Sequence, residues 1–331
     1  MTKAEITQNE TSVLHHLVED LFVIKPAVYW ADYIFCTILG WGFFIISLLP
    51  NMPLYILPLS LLIAIFALYR SAVFSHEIAH FEKNLPRSFC MTWHIFTGMP
   101  LCAPGFMYKQ LHLSHHRKNN YATQNDPEYA DFSHSPFEVF SFVGISFFLP
   151  ILGMVRFLIL APLSLFNSKI RHLVRTKASS MGIQIIFTRE LPNDPKEMKS
   201  WNIQETTTSI WGWLLVLGWA NNVIPWQFFM HWYILLAGIM LINALRALSA
   251  THVYDIKSKG YVNLEEQLSD SFNLTGNAFV TALLCPVGVR YHALHHIFPN
   301  IPYHSLNKAH LRLIKALPKN SNYHQASSKN S

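Results

Sequence analysis

The sequence predicts an all-α membrane protein with four transmembrane helices in two hairpins and a cytoplasmic helical cap that holds three histidine clusters. Hydrophobic residues make up 51% of the 331 residues and charged residues only 13%, about half the share of roughly 25% found in soluble domains. Apolar stretches of about 20 residues, the length of a bilayer span, occur in pairs. Of the 18 histidines, eight fall into the three clusters.

Four apolar stretches have the composition of bilayer spans. They cover about residues 28–49, 54–74, 209–223 and 228–248. Only a helix satisfies its own backbone hydrogen bonds within a bilayer, so each is predicted to be helical. Turn residues separate the members of each pair, at Pro50–Pro53 and at Ile224–Trp226.

The distribution of basic residues predicts the orientation. Residues 27–69 and 209–245 contain no Lys or Arg, and Arg70 and Arg246 stand where each hairpin ends. Both hairpin tips are therefore uncharged, and the basic residues lie on the opposite side. By the positive-inside rule that side is the cytoplasm. We expect a multi-pass integral membrane protein with both termini and the histidine clusters on the cytoplasmic side.

Residues 137–166 form a fifth apolar stretch, which Gly144, Pro150 and Arg156 interrupt. A single crossing here would place the third histidine cluster on the opposite side from the first two. We therefore expect broken helices that lie in the interface or re-enter it. The predicted organisation is an N-terminal cytoplasmic segment (1–27), one domain (28–318) that includes a polar lobe at 167–204, and a polar C-terminal tail (319–331).

The net charge of +6 and the four cysteines exclude two function classes. A nucleic-acid-binding protein needs a charged, wettable surface, which this composition does not offer. The excess positive charge is better explained by contact with anionic lipid headgroups. No CxxC motif occurs, so a thiolate zinc or iron–sulfur site is not expected.

The three histidine clusters indicate a metal site. The first is H-E-I-A-H, the second H-L-S-H-H and the third H-A-L-H-H. Residues i, i+3 and i+4 share one face of a helix, so the first and last histidines of each cluster point the same way. Eight imidazoles exceed what one tetrahedral ion needs, which favours two metal ions. The predicted ligands, which are also the expected catalytic residues, are His76, His80, His112, His115, His116, His292, His295 and His296.

Other histidines have simpler interpretations. A lone histidine on an apolar helix is more often a packed or interfacial residue than a ligand, and this interpretation applies to His15, His16, His94, His172, His231 and His324. His252 is a ninth candidate metal ligand, because it follows the fourth predicted span at the level of His80. The first cluster also matches the zinc-protease motif with Glu77 as general base, but a protease leaves the other two clusters unexplained.

The bilayer setting favours redox chemistry over hydrolysis. A site at the bilayer surface, beside apolar helices, implies an apolar substrate. In an unactivated alkyl chain the bonds available for reaction are C–H bonds. Breaking them requires a metal–oxygen oxidant. Zinc has no redox chemistry, so iron is the expected metal.

The three clusters resemble, in type, order and position, the histidine boxes of the membrane fatty acid desaturase family. The similarity extends over about residues 28–318, and the segments 125–129 and 298–304 are similar to bacterial members. One departure is Leu248, where family members place an asparagine four residues before the histidine that His252 matches. At this position the sequence departs from the family pattern around one of the two implied irons.

The resemblance implies a di-iron, oxygen-dependent fatty acyl desaturase of the bacterial inner membrane. Two iron ions would be the cofactor and O2 the co-substrate, and hydrogen would be removed from two adjacent methylenes of a fatty acyl lipid or thioester. Electrons would come from a separate ferredoxin or cytochrome with its reductase, which the cytoplasmic Lys and Arg residues would dock. Carboxylates near the clusters are candidates to hold the ligand rings: Glu77, Asp126, Glu128, Asp255, Glu265 and Asp270.

Two alternatives remain at this point. A hydroxylase or ketolase of the same superfamily, acting on a carotenoid, sphingoid base or alkane, would use the same oxidant. A metal carrier is the second, but transporters place polar residues near the middle of their spans, whereas these clusters lie at one end.

Overall fold

The computed structural model describes residues 14–53, 55–117, 119–123, 125–129, 132, 136–184, 187–250 and 264–328. Throughout these residues the regular structure is helical, and one isolated bridge joins Asn273 to Tyr291. The α-helices are α1 (Pro26–Ser47), α2 (Ile56–Phe81), α3 (Arg87–Trp93), α4 (Lys109–His115), α5 (Pro136–Gly144), α6 (Leu149–Met154), α7 (Ala161–Leu163), α8 (Ser168–Thr176), α9 (Pro195–Ala220), α10 (Trp226–Ala250), α11 (Leu264–Asp270), α12 (Ala278–Leu284), α13 (His292–Ile297), α14 (Tyr303–Ala316) and α15 (Asn322–Ser328). The predicted all-helical membrane fold is confirmed.

Within the described residues, three helices are long and apolar enough to cross a bilayer: α1, α2 and α10. The predicted third span lies in α9, which is long enough but is not among them, because polar and charged residues continue from Lys196 to Thr208 and leave too short an apolar stretch. A fourth candidate is the bent pair Pro136–Phe147 and Leu149–Leu163, whose axes differ by 52°. That pair covers the stretch for which broken helices were predicted.

The first hairpin packs closely. Gly40 of α1 faces Leu68 of α2, and a Cβ atom at Gly40 would lie 2.5 Å from the Leu68 side chain. Only glycine therefore allows this approach of the two helices. Nearer the histidine end, Tyr29 and Tyr33 pack edge-on against Phe89, which seals the hairpin with an aromatic cluster.

Helix α10 packs on the other side of α2. Leu68 of α2 and Leu235 of α10 are fully buried in one apolar cluster. The indole of Trp232 donates to the Pro100 carbonyl at 2.8 Å, which fixes α10 against the segment before the second histidine cluster.

The bent pair is tied to both neighbouring long helices. The hydroxyl of Tyr233 in α10 donates to the Phe147 carbonyl at 2.9 Å. Arg156 lies in a π-helical turn at Val155–Leu160 and donates to Glu205 of α9 at 2.6 Å. Two charges in an otherwise apolar interface are thereby paired, as a low-dielectric setting requires.

Helices α11 and α13–α15 form a cap with the N-terminal residues. Leu14 and Val18 pack into one apolar cluster with Leu294 of α13 and Leu313 of α14. Arg312 of α14 holds Asp20 in a bidentate ion pair. The cap buries α13, the helix that carries the third histidine cluster. The predicted domain limits and the cytoplasmic orientation stay predictions.

Candidate metal centre

The first histidine cluster occupies the last turns of α2. His76 and His80 lie four residues apart on one helix face, with ring centroids 5.1 Å apart. His76 is buried and His80 is half-buried. Because α2 extends beyond the apolar part of its sequence, it carries these rings out of the span toward the cap.

The second and third clusters lie on the short helices α4 and α13. In each, the first and last histidines face the same way, as their spacing predicts. The Nε2 atoms of His112 and His116 are 3.1 Å apart, and those of His292 and His296 are 3.2 Å apart.

The histidines assemble into two spatial groups that do not follow the sequence clusters. Group 1 contains His76, His80, His112 and His295, and group 2 contains His115, His292 and His296. Within each group the potential ligand atoms lie within 4.8 Å of one another. His115 of the second cluster thus joins the third cluster's pair, and His295 of the third cluster joins the first two clusters.

His116 lies between the two groups. Its Nε2 atom is 3.0 Å from Nε2 of His295 in group 1. Its ring stacks on His296 of group 2, with centroids 4.7 Å apart. All eight predicted histidines therefore belong to one connected cluster of rings.

Two of the predicted carboxylates hold histidine rings. Nδ1 of His115 lies 2.9 and 3.0 Å from the oxygens of Asp126, and Nδ1 of His112 lies 2.9 Å from Glu128. Asp126 is itself fixed by the backbone N–H groups of Ala122 and Glu128 at 2.9 Å. A carboxylate on Nδ1 places the proton there and leaves the Nε2 lone pair for a metal.

Burial keeps most of these rings neutral. Desolvation lowers the pKa of His112, His116, His292, His295 and His296 well below the ordinary value, and the neighbouring ionisable groups lower it further. Neutral imidazole is the form that binds metals. At His115 burial also disfavours the charge, but the nearby carboxylates, Asp126 foremost, together outweigh burial and the pKa is raised.

The other predicted carboxylates are used differently. Glu77 is buried and accepts hydrogen bonds from the Tyr29 hydroxyl and the Tyr303 backbone N–H, not from a cluster histidine. Asp270 accepts from the hydroxyls of Tyr121 and Tyr129, at 3.0 and 3.1 Å. His252 and Asp255 lie outside the described residues, as does the side chain of Glu265.

Several histidines interpreted as packing residues have other partners. His94 lies 2.9 Å from the Thr207 hydroxyl, His231 lies 3.1 Å from Ser47, and His324 lies 3.0 Å from the Ile314 carbonyl. None of the three contacts the groups defined above.

Two residues that contact the histidine-bearing helices were not predicted from the sequence. Asn273 accepts from the Leu294 backbone N–H at 3.1 Å, inside the helix of the third cluster. Tyr108 stacks on the His112 ring, with centroids 5.1 Å apart and planes 16° apart. Tyr108 comes four residues before His112, one helical turn away, which is a signal the sequence offered. No such signal marks Asn273.

The donor set fits metal ions. The closest Nε2 pairs are 2.8 to 3.2 Å apart, the separation expected of nitrogens that share an ion at about 2.0–2.1 Å. Nδ1 of His76 is buried without a hydrogen-bond partner among the described residues. Seven of the eight rings fall into the two compact groups, and His116 joins them.

Comparison with known proteins agrees with this geometry. The family model described as "Fatty acid desaturase" matches residues 50–327. The chain belongs to the fatty acid desaturase family. This family member is also 35% identical over 312 residues to a ceramide hydroxylase of Caulobacter vibrioides, an alignment that covers 94% of this chain and 88% of that protein. The chain is therefore a multi-pass membrane oxidoreductase of the desaturase superfamily, and the resemblance based on its histidine clusters is confirmed.

Proposed function

We propose that this protein is a di-iron lipid hydroxylase that acts on a ceramide or a related sphingoid lipid. The observation that carries the proposal is the similarity to a ceramide hydroxylase over nearly the whole of both chains. This was the alternative in the sequence analysis, and it now takes precedence over acyl desaturation.

In this proposal the eight clustered histidines are the iron ligands. Group 1 would hold one ion and group 2 the other, and His116 is placed to serve either. His252 remains a proposed ninth ligand. Bound iron would supply oxygen activation and the oxidising power to break a C–H bond. The overall reaction converts C–H to C–OH and consumes O2, two electrons and two protons, with water as the second product.

The surrounding residues orient the ligands and limit water. Asp126 and Glu128 hold the rings of His115 and His112 with Nε2 toward the centre. Five of the eight rings are buried, whereas His80, His116 and His292 are half-buried. Approach to the centre is therefore from the side of these three rings. A separate ferredoxin or cytochrome with its reductase would supply the electrons.

Acyl desaturation remains the second candidate, favoured by the family match. The same oxidant serves both reactions, since removing a second hydrogen gives a double bond whereas returning oxygen to carbon gives an alcohol. The ligand set is compatible with either reaction.

Lipid analysis after expression decides between them. The chain would be expressed in a host that makes ceramide but lacks related oxidases. Products heavier by one oxygen atom support the proposal, and products lighter by two hydrogen atoms indicate desaturation. We expect His295→Ala to abolish product while the protein still inserts in the membrane. His94→Ala, which removes a histidine outside both groups, is the matched control and should retain product and iron.

A further inference from the structure

Helix α8 begins shortly after the bent apolar pair, and its charge is of one sign. Between Glu138 and Glu190 the sequence contains no acidic residue, whereas α8 and the residue that follows it carry four Lys or Arg residues. Asn167 caps the helix, because its side chain accepts from the backbone N–H groups of Lys169 and Ile170. A basic helix is therefore joined to an apolar segment through a capped turn.

An exposed apolar stripe leads along the bent pair to the start of α8. Its members recur every three or four residues, and each is between 36% and 87% exposed: Phe148, Leu152, Val155, Ile159, Leu163 and Phe166. The most exposed of them, Phe166, lies two residues before the first residue of α8. Contiguous exposed apolar residues mark a surface that meets lipid or a partner. The lipid-facing surface of the bent pair thus extends as far as α8.

The exposed face of α8 combines two lysines with an apolar residue. Lys169, Leu173 and Lys177 follow one another at intervals of four residues, and all three are exposed. Residues with this spacing share one helix face. Neither lysine forms an ion pair within the part of the chain that the structure describes. Basic residues interspersed with apolar ones are typical of a helix that lies in the bilayer interface.

Contacts with α9 place α8 at the border of the apolar region. Arg171 bonds Glu205 at 3.3 Å, and Arg175 donates to Asn202 at 3.0 Å. Between these two α9 residues lies Ile203, the first exposed large apolar residue of α9, and further exposed apolar side chains follow in its second half. Helix α8 therefore contacts α9 where polar residues give way to apolar ones, which is the level of the lipid headgroups.

Two kinds of partner carry the negative charge that would match these lysines, and the apolar neighbours favour a bilayer. A soluble acidic protein would have to displace lipid from Phe166 and Leu173 to reach them. Anionic phospholipids satisfy both features, because their phosphates meet the lysines while their acyl chains cover the apolar side chains. In the predicted orientation this surface faces the cytoplasmic leaflet, which carries anionic lipids.

We propose that α8, together with Phe166, docks in the headgroup layer and binds anionic phospholipids through Lys169 and Lys177. Because α8 is bonded to α9 and follows the bent pair in the chain, the docked helix holds both at a fixed depth. The inference does not depend on which lipid the enzyme oxidises, so it stands or falls separately from the proposed function.

Hydrogen–deuterium exchange of the full-length protein in nanodiscs tests this inference. One set of discs contains only phosphatidylcholine, and the other also contains anionic phosphatidylglycerol. We expect the backbone amides of α8 to exchange about 5- to 25-fold more slowly in the anionic discs, since each lysine at an anionic surface contributes a factor of about five to binding. Added salt should reduce this difference, because it screens the attraction.

Two double variants with the same loss of charge provide the matched comparison. Lys169→Gln/Lys177→Gln should abolish most of the difference between the discs and leave exchange in phosphatidylcholine unchanged. Lys315→Gln/Lys319→Gln removes two exposed lysines at the end of α14 and just beyond it, and it should behave as wild type. Phe166→Ala should speed exchange by a similar factor in both discs, because it removes an apolar contact. Iron content should equal that of the wild type throughout.

Three outcomes overturn the inference. One is equal exchange of α8 in the two kinds of disc. Another is a Lys315→Gln/Lys319→Gln variant that loses the difference as fully as the α8 variant, which would indicate an effect of total charge. The third is slower exchange of α8 only when an acidic ferredoxin is added, which would indicate a protein-docking surface. The salt titration of the wild type needs no substitution, so it decides if a variant fails to fold.

Discussion

The second and third histidine clusters share the pattern H-x-x-H-H but are held in place by different means. In the second cluster, carboxylates contact the rings directly: Asp126 bonds His115 and Glu128 bonds His112. In the third, a side-chain contact fixes the helix backbone, since Asn273 accepts from the Leu294 N–H between the histidines. Asn273 in turn is bonded to Ser327 of α15 at 3.0 Å.

The difference shows that the same motif can be positioned by contacts to its individual imidazole rings or by contacts to the backbone of its helix. A carboxylate fixes the tautomer and the rotation of a single imidazole. A backbone contact fixes all the rings on the helix together but leaves each ring's tautomer to its other neighbours. Variants in the second cluster should therefore affect metal binding directly, and variants near the third should act through stability.

The largest effect is expected for Asp126→Asn. Asp126 is fully buried and its carboxylate accepts from His115 and from two backbone N–H groups. An amide cannot accept at both positions, so we expect metal affinity to fall about 10- to 100-fold, with activity lost in parallel. Iron is measured by mass spectrometry after dialysis against a chelator. Asp194→Asn, at the N-cap of α9, is a control because asparagine caps a helix equally well. An unchanged iron content in Asp126→Asn would contradict the role of Asp126 in holding the His115 ring.

A smaller effect is expected for Asn273→Ala. The change leaves the Leu294 N–H without its buried acceptor and removes one of the two hydrogen bonds of the Ser327 hydroxyl, which costs about 1–3 kcal/mol. Thermal unfolding of the solubilised protein should move to lower temperature, and iron loss should follow the loss of structure. Asn277→Ala removes only the N-cap of α12 and should leave iron content unchanged. Iron loss in Asn273→Ala at full thermal stability would contradict helix-level positioning.

The contact between His310 and Tyr323 makes the support of the third cluster sensitive to acid. Nδ1 of His310 lies 2.8 Å from the Tyr323 hydroxyl, and burial lowers the pKa of His310 to about 4. The unfolded chain takes up this proton near pH 6.5, so the contribution is present above that pH and is lost as the pH falls toward 4. We expect the free energy of unfolding at pH 5 to be lower by about 1–2 kcal/mol than at pH 7 because of this residue.

Unfolding of the wild type and His310→Gln, followed between pH 7 and pH 4, checks this prediction. Glutamine does not titrate but can still bond Tyr323. Metal release at low pH is common to both proteins and cancels in their difference. Identical pH profiles would show that His310 does not couple to folding.

The smallest effect is expected for Ser327→Ala. The Ser327 hydroxyl accepts from Asn273 and donates to the Tyr323 carbonyl at 2.9 Å. Its loss leaves Asn273 bonded to Leu294, so we expect only about 0.5–1.5 kcal/mol of destabilisation. The double variant with Asn273→Ala should be little worse than Asn273→Ala alone, because both changes remove the same contact. Full additivity would show that the two residues act separately.

The sequence by itself determined the helical membrane class and the family, and it predicted the eight histidines that the structure brings together. Apolar length and backbone satisfaction in lipid leave few alternatives to helices. The spacing within each cluster also predicts correctly that His112 and His116, and His292 and His296, share a face, because this follows from 3.6 residues per turn.

Only the tertiary structure decided how the clusters combine. His115 lies with the third cluster's pair, and His295 lies with the first two clusters. This arrangement depends on how α4 and α13 cross, and the packing of the cap determines that crossing. Glu77 bonds Tyr29 and Tyr303 because α1 and the start of α14 lie against it, and neither contact is local in sequence. The helical repeat determines on which face of its own helix a side chain lies. Its tertiary partner depends on how segments distant in sequence pack together to bury their apolar surface.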